Sequence, residues 1–303
     1  MSATAILQHL AEQNLQDDVT QSTAVPKAID RLANRLGISA VAMRKATSST
    51  ACNYRVYWQQ KGRKRRLIEA PKPILKHIQR TLLDTVFSHE KPSTWSHGFC
   101  PGRSIFTHAV NHRARDIVVT MDIKDFFPSI DTGKISPILR RFFPDELELQ
   151  TVMQLVTRNG RLPQGAPTSP HLANLAFSPV DEVIARAIGV DWTYSRYADD
   201  LAFSGNLSVD ALIALISDII LNHGFKVAPK KTRIMRQSHR QKITGLVVNH
   251  ELNLPKEKRR IWRATLHRIR TQGLAAAKPN CLLTLNGFAA FQKSLVRFKE
   301  EHP

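Results

Sequence analysis

The spacing of hydrophobic residues along the chain predicts both helices and strands. In residues 73–89 they recur every three or four positions, which predicts an amphipathic helix that begins at Pro73. Residues 117–123 form a nearly uninterrupted apolar run, which predicts a buried strand with an acidic residue at its end. In residues 192–204, β-branched, aromatic and aliphatic positions flank an acidic pair, which predicts two short strands joined by a turn.

The other predicted elements complete a mixed pattern. Further helices are predicted at 27–46 (with a stop at Gly37), 134–158, 171–188, 208–222, 256–271 and 282–298. Further strands are predicted at 54–58 and 65–69, joined by a turn at Lys61-Gly62, and near 225–227, 232–236 and 243–249. Because strands and helices alternate in the middle and the end is helical, we expect an α+β core with a helical appendage.

Composition adds a strong charge imbalance to this picture. The chain has 303 residues, of which 42% are hydrophobic and 23% charged, as in folded proteins. It carries 44 Lys and Arg against 25 Asp and Glu, a formal net charge of +19. Such an excess indicates a polyanionic partner, with nucleic acid favoured over an anionic membrane. No apolar run approaches the roughly 18 residues of a membrane-spanning helix, so no membrane partner is expected.

Cysteine and histidine usage argues against a disulfide scaffold or a zinc site. The cysteines Cys52, Cys100 and Cys281 lie far apart, and the 12 histidines are scattered without metal-binding spacing. The first residues also lack the basic start and apolar block of a secretory signal. Sparse, unpaired cysteines are typical of the reducing cytosol, so we expect a cytoplasmic protein.

Three aspartates are the strongest candidates for chemistry. Asp199 and Asp200 lie at the tip of the predicted hairpin, and Asp122 ends the predicted strand. Each alone has a simpler explanation, because Asp is common in turns and Asp122 could cap a helix near Phe126. If strand and hairpin are neighbours in one sheet, however, the three carboxylates converge and repel one another unless cations neutralise them. Two Mg²⁺ ions about 3.5–4 Å apart would do so, and they are the machinery of in-line phosphoryl transfer.

One loop and three basic segments suggest binding sites for a nucleotide and a nucleic acid. The loop 164–170 combines Gly165, which allows close backbone approach, with Gln164, whose amide can contact a base or a sugar. Segment 61–66 has five cations in six residues and suits a triphosphate. Segments 226–242 and 256–270 are also strongly basic, which suggests a groove that follows a phosphate backbone. Each feature alone also fits an ordinary turn or a solvated surface.

The order of these motifs resembles that of the reverse transcriptases, and most closely that of the bacterial retron type. The match runs from about Arg65 to Asn249 and comprises Asp122-Ile-Lys-Asp-Phe-Phe-Pro-Ser-Ile130, Gln164-Gly-Ala-Pro-Thr-Ser-Pro170, Tyr197-Ala-Asp-Asp200, Lys230-Lys-Thr232 and Ile243-Thr-Gly-Leu246. The resemblance implies a right-hand polymerase with fingers, a palm of antiparallel sheet plus helices, and a small helical thumb. We expect N-terminal helices and fingers in 1–115, the palm in 116–250 with a fingers insertion around 131–165, and the thumb in 251–303.

The resemblance also implies roles for individual residues. Asp122, Asp199 and Asp200 would bind Mg²⁺ with help from the Ile123 carbonyl. The incoming nucleotide would be bound by Lys64, Arg66, Phe127 and Gln164, with the Phe127 ring excluding a 2′-hydroxyl. Lys231, or its neighbour Lys230, would protonate the leaving pyrophosphate. Thr244 and Gly245 would contact the primer, and the basic segment that follows adds Arg259, Arg260 and Arg263 as RNA-binding residues.

Two features favour a retron enzyme over a mobile-intron enzyme, and one departs from the retron pattern. The chain ends at residue 303, which leaves room for a thumb but for no maturase or endonuclease domain, and Ile243-Thr-Gly-Leu246 resembles the retron Val-Thr-Gly signature. The retron element Asn-Ala-x-x-His appears here as His108-Ala-Val-Asn-His112, with His in place of the first Asn. The role of that Asn is therefore open.

A retron enzyme is an RNA-directed DNA polymerase. It copies a partner structured non-coding RNA into cDNA with deoxynucleoside triphosphates, starting from the 2′-hydroxyl of an internal guanosine. The product is a branched RNA–DNA hybrid, and many retrons act with an accessory effector protein in anti-phage defence. Two alternatives stay open: an RNA-binding scaffold that holds an effector or toxin inactive, and a reverse transcriptase of group II intron, diversity-generating or abortive-infection type.

Overall fold

The structure is a computed structural model that describes residues 25–48, 51–62, 64–205, 208–272 and 281–302. These residues form two compact units. Unit one comprises residues 25–92 and 125–177, and unit two comprises residues 93–124 and 178–302. The division into fingers, palm and thumb assigns functions to segments of the chain, and it stays a prediction.

Helices and strands follow one another along the chain in a mixed order. They are α1 (25–35), α2 (Ala40–Ser48), β1 (Tyr54–Lys61), β2 (Lys64–Pro71), α3 (Pro73–Thr85), α4 (Ile105–Val110), β3 (Ile117–Asp122), α5 (Thr132–Arg140), α6 (Glu146–Val156), α7 (Ser169–Ile188), β4 (Trp192–Tyr197), β5 (Asp200–Gly205), α8 (Val209–Asn222), β6 (Arg233–Arg236), β7 (Lys242–Ile243), β8 (Leu246–Val247), α9 (Lys256–Gln272) and α10 (Cys281–Glu301). The predicted α+β class is confirmed.

Unit one packs helices around a buried aromatic and polar centre, with the β1–β2 hairpin attached. The ring of Phe87 meets the rings of Phe142 and Phe143 edge-on, at centroid distances of 5.6 and 6.4 Å. The fully buried side chain of Gln79 in α3 donates to the Tyr54 hydroxyl at 3.0 Å and to the Leu155 carbonyl at 2.7 Å. Gln79 thereby joins α3 to the start of β1 and to α6.

Unit two is built on a four-stranded antiparallel sheet with strand order β4-β5-β3-β6. Val118 of β3 and Ala202 of β5 belong to a hydrophobic core that also contains Leu295 and Phe298 of α10. The α10 helix is therefore anchored on the central strands. It also supports α9, because the rings of Trp262 and Phe288 stack at 4.1 Å.

Four predicted elements differ from the structure. The helix predicted at 27–46 is the two helices α1 and α2, and the strand predicted near 225–227 is only an isolated bridge between Val227 and Ile123. The helical stretch predicted at 134–158 is two helices, α5 and α6, because Pro144 disfavours helical backbone in the residue before it and Asp145 caps a new helix. The strand predicted at 243–249 is a tight hairpin whose two strands, β7 and β8, are joined by Thr244-Gly245. Both turn residues have positive φ, +43° and +91°, which matches the twist of a two-residue hairpin turn.

Among the described residues, no helix combines the length and the apolar character needed to cross a lipid bilayer.

Candidate active site

The three predicted aspartates lie together at one end of the sheet in unit two. In the register of the central strands β3 and β5, Asp122 pairs directly with Asp200. The backbone N–H of Ile123 donates to the Asp199 carbonyl at 3.0 Å and holds the third aspartate against the end of β3. The convergence of carboxylates that the sequence predicted is therefore present.

A two-residue turn presents Asp199 and Asp200. Tyr197, the last residue of β4, pairs with Asp200, the first residue of β5, so Ala198 and Asp199 alone form the turn. Ala198 has φ = +56°, a left-handed conformation that residues other than glycine rarely adopt. The conformation of this turn fixes where the two carboxylates lie.

Repulsion among the carboxylates is evident at Asp200. Burial, followed by the charges of Asp199 and Asp122, raises the pKa of Asp200 to about 6, although Lys231 acts in the opposite direction. A hydrogen bond with Asp122 also contributes to this raised pKa. The site therefore holds more negative charge than its surroundings neutralise.

Lys231 supplies part of the missing positive charge. It ends a short 3₁₀ turn, Pro229–Lys231, and its ammonium group forms an ion pair with Oδ1 of Asp122. The turn stays beside β3 because the N–H of Ala228 donates to the Asp122 carbonyl at 2.7 Å. Lys231, for which a proton-donating role is predicted, thus lies in direct contact with one of the predicted metal ligands.

The three carboxylates fit a divalent metal ion in their donor chemistry. In the conformation described, no three Asp, Glu, His or Cys side chains within the described ranges are arranged to hold a metal ion. The donor set of Asp122, Asp199 and Asp200 nevertheless consists of carboxylate oxygens, which hard divalent cations prefer. The Lys231 side chain is 42% exposed and can rotate into solvent, which would free the Asp122 oxygen for a cation.

The predicted nucleotide-binding residues lie in unit one. The N–H of Glu69 in β2 donates to the Gln164 carbonyl at 2.8 Å. Gly165 has φ = +132°, and a Cβ on it would lie 3.1 Å from the Glu69 carbonyl oxygen, so the predicted close backbone approach at Gly165 is present. This contact joins the Gln164 loop to the strand that carries the exposed Arg66. The side chain of Lys64 lies outside the described residues.

Phe127 lies in the turn that follows β3, in unit one. Its ring centroid is 5.6 Å from that of Phe126, and the buried Phe126 ring packs edge-on against Phe177 at 5.8 Å. The half-buried Phe127 ring thus packs against a buried ring, Phe126, which is itself held by Phe177. Such support keeps the ring in one position, as a steric gate requires.

The predicted RNA-binding and primer-binding residues lie in unit two, on different elements. Arg259, Arg260 and Arg263 are exposed along α9. Thr244 and Gly245 form the β7–β8 turn, where the buried Thr244 hydroxyl has no hydrogen-bond partner among the described residues. Basic side chains therefore line a solvent-exposed helix, while the Thr244-Gly245 turn leaves a polar group unsatisfied.

The sequence did not reveal a buried histidine cluster behind the Asp199-Asp200 turn. The ring nitrogens of His112 lie 2.8 Å from the hydroxyls of Ser195 in β4 and Ser204 in β5. Nδ1 of His108, the residue that replaces the retron Asn, lies 2.7 Å from the same Ser195 hydroxyl. The four-residue spacing of the two histidines was the signal available in the sequence. The cluster connects the α4 region to both strands of the hairpin.

An antiparallel sheet with three carboxylates at one end, in a strongly basic chain, is consistent with a polymerase fold. The family model for reverse transcriptase (RNA-dependent DNA polymerase) matches residues 58–248. The chain belongs to the reverse transcriptase family and, within it, to the bacterial retron group.

Several curated retron proteins are similar to this chain. Retron Mx162 reverse transcriptase of Myxococcus xanthus is 33% identical over 86% of this chain and 62% of that protein. Retron Mx65 reverse transcriptase of the same organism is 36% identical over 76% of this chain and 58% of that protein. Retron Ec86 reverse transcriptase of Escherichia coli is 32% identical over 71% and 70%. The chain spans about three-fifths of the length of the two Myxococcus relatives.

Telomerases are among the solved structures that are similar to this chain. Apo telomerase from Candida tropicalis aligns with a TM-score of 0.45 and 11% identity, over 67% of this chain and 55% of that chain. Telomerase from Candida albicans, in complex with a fragment of telomeric RNA, aligns with a TM-score of 0.47 and 11% identity, over 66% and 45%.

Proposed function

We propose that this protein is an RNA-directed DNA polymerase that copies a partner non-coding RNA into DNA. The observation that carries the proposal is the convergence of Asp122, Asp199 and Asp200 at one end of the sheet, in a chain of the reverse transcriptase family. Kinship with retron enzymes further supports priming from a 2′-hydroxyl and a branched RNA–DNA product. The same kinship supports a cytoplasmic location and an accessory effector as a partner in anti-phage defence.

The carboxylates of Asp122, Asp199 and Asp200 would hold divalent cations, for which we propose Mg²⁺, with the Ile123 carbonyl as a further ligand. When bound there, such ions supply charge stabilisation for in-line transfer of a nucleotide onto a primer hydroxyl. Lys231 forms an ion pair with the Asp122 carboxylate and so lies beside the proposed metal site, where it would donate a proton to the leaving pyrophosphate.

The residues of unit one would bind the incoming nucleotide. The exposed Arg66, and with it Lys64, suits the triphosphate because a guanidinium donates two parallel hydrogen bonds to phosphate. Gln164 has its backbone carbonyl fixed by Glu69, which leaves its side-chain amide to contact the base or the sugar.

The proposal is tested by supplying the purified full chain with its co-purifying RNA, deoxynucleoside triphosphates and Mg²⁺. We expect DNA synthesis that depends on intact RNA, and a product in which a short RNA fragment stays joined to the DNA after ribonuclease digestion. DNA synthesis with only linear products would support a reverse transcriptase of another bacterial type. No RNA-dependent synthesis under these conditions would contradict the proposal.

Replacing Phe127 by alanine should admit ribonucleotides. Removing the ring opens the space that a 2′-hydroxyl needs, so the preference for deoxynucleotides should fall by about 10–100-fold. The measurement is the ratio of kcat/KM for the two nucleotides on one template. Phe142→Ala, which removes a half-buried ring of unit one that packs on Phe87, controls for general loosening and should keep the preference. Equal preference in Phe127→Ala and the unmodified protein would remove Phe127 from this role.

Neutralising Arg259, Arg260 and Arg263 on α9 should weaken RNA binding in a salt-dependent way. Each single-strand phosphate contact that is lost lowers the slope of log K against log salt by about 0.7. The slope measured for a triple Arg→Gln variant should therefore be smaller by about 2. The matched control replaces Arg44, Arg140 and Arg141, exposed arginines of unit one that pair with acids. An unchanged slope in the α9 variant would place the RNA elsewhere.

A further inference from the structure

A fully buried ion pair lies directly beside the Asp199-Asp200 turn. The guanidinium of Arg196 in β4 donates to both carboxylate oxygens of Asp181 in α7, at 2.9 and 2.7 Å, and both side chains are 0% exposed. Replacing a buried ion pair by apolar residues of similar volume is often neutral or stabilising. Stabilising the fold is therefore not a sufficient reason for the presence of this ion pair.

The Arg196 side chain also contacts the turn itself. Its Nη1 atom donates to the carbonyl of Ala198 at 3.0 Å. Ala198 is the left-handed residue of the turn and immediately precedes Asp199. Because the guanidinium is a rigid planar group, its two bonds to Asp181 determine where the third bond holds the Ala198 carbonyl.

The opposite side of the turn is held by the segment 95–98. Arg196 exchanges backbone hydrogen bonds with this segment, from its N–H to Trp95 at 2.8 Å and from the His97 N–H to its carbonyl at 2.7 Å. At Gly98 the contact is so close that a Cβ would lie 2.6 Å from the Ala198 nitrogen. Ala198 is therefore confined between a glycine backbone and the Arg196 side chain.

Asp181 is itself held in place by two further donors. The Tyr194 hydroxyl donates to Oδ1 at 2.6 Å, and the Ser93 hydroxyl donates to Oδ2. Burial acts to lower the pKa of Arg196, but the charge of Asp181, its hydrogen bonds and smaller contributions from Tyr194 and Cys100 together raise it above the ordinary value. The guanidinium thus stays charged, and its bonds to Asp181 and to the Ala198 carbonyl are made inside unit two.

We propose that Asp181 and Arg196 are positioning residues that fix the carboxylates of Asp199 and Asp200 for metal binding, acting through the Ala198 carbonyl. The inference rests on the proposed function, because it assumes that these carboxylates bind a divalent cation. Positioning groups around metal ligands typically change metal affinity by about 10–100-fold when they are removed.

The test is an apolar replacement of the whole pair, Asp181→Leu with Arg196→Met, in the full chain. Because no charge is left unpaired, this double variant should keep its fold while the Ala198 carbonyl loses its donor. The probe is Mn²⁺, whose binding is followed by electron paramagnetic resonance. Mn²⁺ binding that persists in the Asp199→Asn/Asp200→Asn variant is subtracted, so that only Mn²⁺ bound at the proposed site is counted.

We expect the double variant to bind Mn²⁺ about 10–100-fold more weakly. The Mn²⁺ concentration for half-maximal DNA synthesis should rise in step, whereas the KM for deoxynucleotides should not change. Gln79→Leu, which removes a buried hydrogen-bonding side chain of unit one, is the control for a purely structural loss and should keep the Mn²⁺ affinity. A folded double variant with Mn²⁺ affinity within about twofold of the unmodified protein would overturn the proposal.

Two further measurements cover the remaining outcomes. If the double variant does not fold, the single variant Arg196→Lys takes its place. A lysine keeps the buried positive charge but cannot bond to both Asp181 and the Ala198 carbonyl. Unchanged Mn²⁺ affinity in Arg196→Lys would overturn the proposal. If the unmodified protein itself binds no Mn²⁺ at Asp199 and Asp200, the proposed metal site fails. Hydrogen exchange in peptide 196–201 then decides the positioning role alone: faster exchange in the double variant supports it, and equal exchange overturns it.

Discussion

Replacing Asp199 and Asp200 together by asparagine should abolish RNA-templated DNA synthesis in a protein that still folds. The variant keeps Asp122 as the last acid of the site, and that acid is paired with Lys231. If these carboxylates hold the catalytic ions, as proposed, losing the ions would remove several kcal/mol of transition-state charge stabilisation, which corresponds to at least about a thousandfold in rate. The measurement is the rate of deoxynucleotide incorporation on the cognate RNA at saturating Mg²⁺.

The same variant should unfold at an equal or slightly higher temperature than the unmodified protein. Burial and the charges of Asp199 and Asp122 raise the pKa of Asp200 to about 6. A carboxyl whose folded-state pKa is raised destabilises the fold when it is ionised, and this penalty is present near pH 7. An amide does not ionise and removes the penalty, although the gain is small because Asp200 is exposed to solvent. Loss of activity with retained stability separates a metal-binding role from a structural one.

The charge-matched control is Asp210→Asn with Asp218→Asn. Both aspartates are exposed on α8, so the variant makes the same change in net charge at a distance from the carboxylate cluster in the sequence. It should synthesise DNA at the normal rate. Synthesis by Asp199→Asn/Asp200→Asn at more than about a tenth of the normal rate would contradict the assigned chemistry.

The convergence of the three aspartates could be predicted because each interrupts or ends an apolar segment. The apolar pattern of a strand and of a hairpin places these acidic residues at the ends of strands. Antiparallel pairing of β3 with β5 then brings Asp122 opposite Asp200. Close approach at Gly165 could be predicted for a similar reason, since glycine permits the backbone contact with Glu69.

The contacts that support the site could not be predicted, because they join residues far apart in the sequence. The ion pair of Lys231 with Asp122 spans 109 positions, and the basic segment around Lys231 offers several other cations. Arg196 lies in a strand where an arginine would ordinarily face solvent. Its burial depends on Asp181, and no local pattern links a helical aspartate to that strand.

Lowering the pH from 7 to 5 should destabilise the protein through its buried histidines. Burial lowers the pKa of His112 to about 3, and the charges of His97 and Arg115 act in the same direction. Burial also lowers the pKa of His108 well below its ordinary value, and that of the less buried His97 to about 4. His112 and His97 are therefore mostly neutral in the folded protein at pH 5, and the pKa of His108 is shifted in the same direction.

The sign of the effect follows from proton binding in the two states. In the unfolded chain a histidine takes up a proton once the pH falls below about 6.5, whereas the buried ring stays neutral until the pH reaches its lowered pKa. Stability is therefore fully present above pH 6.5 and is lost as the pH falls toward the folded-state pKa. At pH 5 the loss from His112 alone is about 2 kcal/mol, since each pH unit corresponds to about 1.4 kcal/mol. His108 contributes with the same sign.

The measurement is the free energy of unfolding in urea at pH 7 and at pH 5, compared between variants. His112→Gln introduces an amide that can bond to Ser195 and Ser204 but does not titrate. The unfolding free energy of this variant should therefore fall by about 2 kcal/mol less between pH 7 and pH 5 than that of the unmodified protein. His250→Gln, which changes an exposed histidine, should show the full loss. An equal loss in His112→Gln and the unmodified protein would mean that His112 does not carry the acid sensitivity.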